Sequence, residues 1–205
     1  MTVQKLSNGR APDYPADLIF VSRWSPRGFA EDQIPEGVLN TFFEAARWAP
    51  SAFNSQPWRF LYALRGHSEF ERFLSPLIEF NQCWARQAAA LIYLLSRKEF
   101  TAPGKTRPQF SRTHSFDSGA AWANFANQAT AAGWAAHGMS GFDVVKAHTE
   151  LKVPEGFAVE IAIAVGRKGD GAQLPPGLLQ REQPSGRSPV DDFVARGLFP
   201  DRFSN

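Results

Sequence analysis

The chain has 205 residues, with 22 Lys and Arg against 20 Asp and Glu, and a single cysteine. A net charge of +2 gives no basic field for nucleic acid, and Cys83 alone excludes an intrachain disulfide framework or a multi-cysteine zinc site. The 43% hydrophobic content, with 18 Phe and 6 Trp, suffices for a packed core. The stretch from Met1 to Leu18 is polar and lacks the apolar segment of a signal peptide. The longest strongly apolar run, Ala88 to Leu95, is too short to cross a bilayer. The expectation is one cytoplasmic domain over residues 1–205, with no metal, no nucleic-acid partner and no membrane partner.

In chain order, Met1 to Tyr14 reads as an N-terminal arm. Pro35 and Glu36 suit a first helical turn, and Leu39, Phe42, Phe43 and Ala46 then form one buried helical face that Pro50 stops. Ala49 to Trp58 is a loop, and Arg59 to Leu64 a short strand ended by Gly66. Ser68 caps a helix carrying Phe70, Phe73, Leu74, Leu77 and Ile78, which Pro76 kinks or breaks. Ala88 to Leu95 reads as a buried strand, with a helix continuing from Cys83 as the alternative. Cys83 itself reads as a buried small hydrophobe.

Lys98 to Ser115 has no clean period and reads as a loop or a mobile helix. Asp117 to His137 is helical, with Ala121, Phe125, Ala129, Ala132, Gly133 and Ala136 on one face, for tight helix packing or for a subunit interface. After a turn at Gly138, Asp143 starts a short helix. Phe157, Val159, Ile161, Ile163 and Val165 give the clearest strand. Beyond Gly166 the composition turns to Gly, Pro, Gln and Arg, with one short helix at Pro189 to Arg196. Such a coreless tail belongs on another surface. The class is α+β.

Three near-motifs fail on spacing. Gly104-Lys105-Thr106 has Glu99 where a phosphate-binding P-loop needs glycine, Gly138-Met139-Ser140-Gly141 is one residue short of a nucleophile elbow, and Gly166 to Gly171 does not fit dinucleotide binding. Four polar clusters remain. Arg23-Trp24-Ser25-Pro26-Arg27 sets a hydroxyl between two guanidinium groups, which suits a phosphate or polyol as well as a solvated turn. The loop around Pro50, Ser51, Asn54 and Gln56 offers amide donors and acceptors of the kind that read a heterocycle edge, or else merely ends a helix. His137 to Asp143, a tight turn between two helices, leaves backbone N–H groups for a ligand or serves as a connector. Arg187 stands alone on a tail loop.

In this order the clusters resemble the FMN-dependent nitroreductase family, over about Ile19 to Arg187. Ala49-Pro50-Ser51 followed by Asn54-Ser55-Gln56-Pro57-Trp58 is the most specific part, supported by Asn81, Trp84 and Gly141-Phe142-Asp143. The resemblance implies a nitroreductase-like α+β fold with a central mixed sheet flanked by helices. It also implies an intertwined homodimer whose C-terminal arm, 167–205, wraps the partner subunit. Arg23, Ser25 and Arg27 would hold the FMN phosphate, ribityl and pyrimidine side, with Trp24 contributing its backbone. Pro50 and Ser51 would lie against the flavin, either this chain's or the other subunit's, Asn54 would bond its ring edge and Gln56 would support the loop. Gly138, Met139, Ser140 and Gly141 would cover the other edge, with the Ser140 and Gly141 N–H groups near N5 and O4, and Arg187 would close on the phosphate. The implied activity is ping-pong hydride transfer from NAD(P)H, through flavin N5 rather than a protein acid or base, to a nitroaromatic or quinone. Phe110 and Phe116 would shape the substrate pocket or pack as core or lid residues. Flavin fragmentation or another specialised reaction, and a non-enzymatic flavin-binding protein, are the alternatives.

Overall fold

A computed structural model describes residues 9–204; of the expected N-terminal arm, residues 1–8 lie outside the described residues. Helix α1 is Leu18–Ser22 and α2 is Glu36–Arg47, followed by a 3-10 turn at Ala52–Asn54 and strand β1 at Trp58–Leu64. Next come α3 (Phe70–Leu74), α4 (Glu79–Ala85) and β2 (Ala90–Arg97). A two-residue hairpin follows, β3 (Glu99–Phe100) with β4 (Gln109–Phe110). The chain continues through α5 (His114–Ala131), β5 (Ala135–Met139), α6 (Val144–Glu150), β6 (Phe157–Gly166) and α7 (Pro176–Leu179).

The main sheet has the order β1-β2-β6-β5, with every pair antiparallel. A mixed sheet would need a parallel strand from outside these residues. Helices cover both faces. Against one face Phe70, Phe73, Leu74 and Trp84 pack with Leu91, Tyr93 and Leu95. On the other, Leu39, Phe42 and Ala46 of α2 and Ala121, Phe125 and Ala129 of α5 pack with Ile92 and Leu94. The continuous apolar run thus exists because β2 is central and buried on both sides. Phe42 meets Phe125 edge to face at 5.6 Å, so two of the small-residue positions of α5 serve helix packing within this chain.

Several expectations change. Helix α5 starts at His114 and ends at Ala131. Gly133, at φ +74°, takes the left-handed position, with Trp134 N donating to Ala129 O and Gly133 N to Thr130 O. Ala132 and Gly133 are exposed beyond the helix, and Ala136 lies in a strand. The supposed turn after His137 is therefore the end of edge strand β5, because pairing with β6 overrides the helical preference of Ala-Ala.

The alternation along β6 is broken. Leu94 pairs with Ile161 and Leu95 with Val159, leaving Glu160 as the extra residue of a bulge. Val159 consequently joins one core layer, and Ile163 and Val165 the other.

Residues 98–115 hold the small hairpin instead of a plain loop. Helix α3 begins at Phe70 with no side-chain cap from Ser68, and the break at Pro76 separates it from α4. Cys83 is exposed, since Asn81, Trp84 and Ala85 form the buried face of α4. In the tail, Leu174 and Leu178 join their own chain's core, so residues up to about Glu182 stay on this subunit. The helix expected at Pro189 to Arg196 shrinks to a 3-10 turn at Val190–Asp192, because Phe193 and Val194 are exposed and no packed face supports more turns. Another 3-10 turn, Asp201–Ser204, follows. Among the described residues, no helix is long and apolar enough to cross a membrane, and no three His, Cys, Asp or Glu side chains form a metal cluster.

Candidate functional site

A cavity of about 540 Å³ opens beside α5, lined by Arg23, Ser25, Gly138, Met139, Ser140 and Arg187 among others. Residues of α1 and its C-terminal edge, the end of β5 and the tail converge here from distant parts of the sequence. Its volume is in the usual range for small-molecule clefts, about 300–1,000 Å³. Its apolar wall comes from Phe20, Trp122, Ala123, Ala126 and Ile161, with Asn127 beside them. Gly138 permits this wall, because a Cβ there would come within 3.1 Å of Trp122 and 3.4 Å of Ile161.

Positive charge gathers at the cavity. Arg23 donates to Ser25 Oγ at 3.3 Å, and its guanidinium is held below its usual range by burial and then by Arg187. Arg10 is depressed in the same way, by burial, Arg187 and Arg23 in that order. Arg10 also donates to the carbonyls of Val21 and Arg23, at 3.1 and 2.7 Å, which fixes the chain entering the site. Arg23 and Arg187 thus face the cavity as like charges, a set that an anion would complement.

Behind the cavity lies a buried polar group. Glu182 Oε1 accepts from the N–H groups of both Arg27 and Gly28 at 2.7 Å, which ties the tail to the Arg23–Arg27 segment. Arg27 does not line the cavity: its guanidinium lies 6.0 Å from the Trp84 ring centre. His137 Nδ1 donates to Pro26 O at 2.9 Å. Burial pushes this imidazole below its usual value, against an opposing effect of the Pro26 bond. The Trp24 ring likewise turns elsewhere, under Lys168 Nζ at 5.4 Å. Gly141 lies just beyond the lining residues, where Asn81 Nδ2 donates to its carbonyl at 2.9 Å.

The loop carrying Pro50, Ser51, Asn54 and Gln56 is not at this cavity. It rests on the first turns of α5, where Asp117 accepts from Ala52 N at 3.2 Å and Thr113 Oγ1 at 3.0 Å. The cavity-lining residues of α5, Trp122 to Asn127, lie five to ten residues further on, about 7 to 15 Å along the helix. Phe53, Asn54 and Gln56 all have positive φ, 55°, 52° and 46°, a costly conformation for a Phe and a Gln. Gln56 N donates to Ser51 Oγ, and Gln56 Nε2 to Asn54 O, so the loop is tied to itself. Phe110 and Phe116 are 64% and 80% exposed, at the same end of α5.

The model of the Nitroreductase family matches residues 20–79 and 67–167. The chain belongs to the nitroreductase family. A crystal structure described as an oxidoreductase containing FMN is 42% identical, covers 96% of this chain and 99% of its own, and superposes with a TM-score of 0.91. A nitroreductase family protein of Streptococcus pneumoniae, 20% identical over 88% of this chain and 98% of its own, has the same fold with a TM-score of 0.71. Shorter matches join the chain to a provisionally named NADH dehydrogenase/NAD(P)H nitroreductase of Streptomyces coelicolor, 35% identical over 37% of this chain, and to an NADH dehydrogenase of Thermus thermophilus, 46% identical over 23% of it. These matches span only 38% and 23% of the two relatives' own lengths.

Sequence reasoning missed Phe20, Trp122, Ala123, Ala126, Asn127 and Ile161 as lining residues, and Arg10 as the side chain that ties down the chain beside them. For Ala123, Ala126 and Asn127 a signal existed: in the small-residue helix they form the stripe beside the buried Ala121–Phe125–Ala129 face. Arg10 gave none, being a lone arginine in an irregular segment.

Proposed function

We propose that this nitroreductase-family protein is an FMN-dependent NAD(P)H oxidoreductase that reduces electron-poor acceptors such as nitroaromatics and quinones. The observation that carries the reading is the convergence of Arg23, Ser25 and Arg187 on one apolar-walled cavity. The donor set fits the cofactor. Guanidinium groups suit a phosphate of nearly two negative charges, Ser25 suits a polyol, and the wall of Trp122, Ala126 and Ile161 suits a flat ring system. Bound FMN supplies a group that accepts and gives hydride at N5. Arg23 and Arg187 would hold its phosphate, and the main chain of Gly138, Met139 and Ser140 would face its ring. The cytoplasm, where NAD(P)H is produced, is the place of work.

The working unit in this reading is a homodimer. Asn54 and Ser51 do not line their own chain's cavity, and in this reading they serve the site of a second copy. The tail beyond Glu182 has Phe193, Leu198 and Phe199 exposed by 62%, 91% and 74%, an apolar arm for the partner subunit to cover. A parallel strand from that partner would make the sheet mixed. The test is an absorbance spectrum of purified protein followed by anaerobic addition of NADH and NADPH. A flavin band that bleaches supports the reading; colourless protein that takes up no FMN ends it.

A further inference from the structure

The two arginines of the cavity, Arg23 and Arg187, come from opposite ends of the sequence, and neither stands on a packed element. Helix α1, which leads into Arg23, has five residues and buries none of them. None of residues 183–193 is buried either. With so little apolar burial, hydrogen bonds decide where the two guanidinium groups stand.

Those bonds meet at Arg10. A helix end leaves carbonyls without partners, and Arg10 Nη1 takes up two of them at the end of α1, Val21 O at 3.1 Å and Arg23 O at 2.7 Å. Its Nε donates to Ser185 O at 2.8 Å. Because the guanidinium is planar and rigid, these bonds fix the two segments relative to each other. Ser185 also anchors Arg187, whose Nη1 donates to Ser185 Oγ at 3.0 Å and to Gly186 O at 2.7 Å. One side chain therefore links the main chain of Arg23 to the turn that carries Arg187. Further ties lie on either side: Glu182 on the amides of Arg27 and Gly28, and Asp13 Oδ2, which accepts from Val190 N at 2.9 Å. Residues 9–16 and 183–193 enclose a second cavity of about 980 Å³, which shares Phe20 and Arg187 with the first. Arg10 lines this second cavity and not the first, so it acts from behind the site. The same volume gives the tail room to shift once the Arg10 bonds are gone.

We propose, on the FMN reading above, that Arg10 is a positioning residue of the anion site. It holds the Arg23 main chain and the Ser185–Arg187 turn in the one arrangement that presents both guanidinium groups to a single phosphate. Arg10 thereby sets the preference for a phosphorylated flavin over an unphosphorylated one without touching either.

The test titrates the flavin-free full chain with FMN and with riboflavin, read by fluorescence. Arg10→Gln weakens FMN about 10-fold, the lower end for loss of a charge-assisted hydrogen bond, and leaves riboflavin unchanged. Arg10→Lys, which keeps the charge but not the fork, recovers little of that loss. In chains that already carry Arg187→Ala, Arg10→Gln costs less than about 3-fold, because its effect passes through the missing guanidinium. Equal losses for both flavins, full recovery by lysine, or strictly additive losses each overturn the proposal. A second readout needs no flavin: trypsin cuts after Arg187 faster in Arg10→Gln than in the wild type, and an unchanged rate overturns the role of Arg10 whatever the flavins do. A wild-type chain that binds neither flavin, with the trypsin difference intact, overturns the FMN reading instead and leaves Arg10 as the clasp of an anion site for another ligand.

Discussion

The arginine cavity and the loop at residues 49–58 flank the same helix, yet they are built on opposite plans. The cavity is anchored from several directions at once, by β5 pairing with β6, by Arg10 on the carbonyls of Val21 and Arg23, and by Glu182 on the amides of Arg27 and Gly28. The loop is anchored to α5 by one carboxylate, and three of its residues hold positive φ. A set of like charges needs only an anion to complete it, and one chain assembles that set. The loop's strained residues are held by bonds within the loop, from Gln56 to Ser51 and Asn54, rather than by the sheet. The difference is what the proposed homodimer would account for, with the cavity from one subunit and the loop from the other.

The sharpest way to break this comparison is subunit complementation. Chains carrying Arg23→Ala and chains carrying Asn54→Ala are each crippled alone. Co-expressed, they form heterodimers in which one site takes wild-type Arg23 from one chain and wild-type Asn54 from the other. NAD(P)H oxidation then reappears. If each chain completed its own site, every site in the mixture would carry a defect and nothing would return.

Next in size is the anion end. Replacing Arg23 or Arg187 with alanine removes a charge-assisted bond to phosphate worth about 1.5–3 kcal/mol, or roughly 10- to 100-fold in FMN affinity. Fluorescence titration with FMN reads it. Riboflavin, which lacks the phosphate, binds both variants as it binds the wild type. An equal loss for riboflavin would move the arginines off the phosphate.

Gly141 sharpens the comparison by testing how rigidly the cavity side is held. A Cβ there would stand 2.6 Å from Asn81 Nδ2 and 2.8 Å from Ile78 Cδ1. Gly141→Ala therefore costs about 1–3 kcal/mol of overpacking, read as a lower thermal midpoint. Gly37, on α2 with nothing within 4 Å of its Cβ position, is the control. Gly37→Ala stabilises by about 0.5–1 kcal/mol through helix propensity.

Legibility in the sequence follows the same division between local and long-range causes. The face of Leu39, Phe42 and Ala46, the cap at Asp143 and a buried strand expected at Ala88 to Leu95, which lies at Ala90–Arg97, were readable, because each is marked by its own neighbours in the chain. Ala135 to Met139 was not, since its strand character comes from β6, about 25 residues away. Nor was the bulge at Glu160, which leaves the alternation of large residues intact on paper while moving Val159 and Ile161 to opposite layers. For the site, Arg23, Ser25, Ser140 and Arg187 were readable as a pattern and do share one cavity. Arg27 and Trp24 belong to the same motif but are taken up by Trp84 and Lys168. A motif gives the order of residues along the chain and leaves the direction of each side chain to the packing behind it.

That packing makes a smaller prediction at His137, which carries no proton-transfer role in the proposed reaction. Burial lowers the folded-state affinity of this imidazole for a proton below the ordinary value of 6.5, and the charges of Arg27 and Arg23 lower it further. Between the depressed folded value and 6.5, the unfolded chain binds a proton that the native chain does not. Stability contributed here is therefore present above 6.5 and is lost as the pH falls toward the folded value, below which the loss levels off. Replacing the ring with His137→Gln, whose amide N–H still reaches the Pro26 carbonyl, flattens this part of the profile in urea titrations between pH 5 and 7. An unchanged slope would mean that the imidazole charges freely in the folded state. Arg23 and Arg27 would then face a third cation from behind, and the cavity's positive field would depend on pH rather than on its arginines alone.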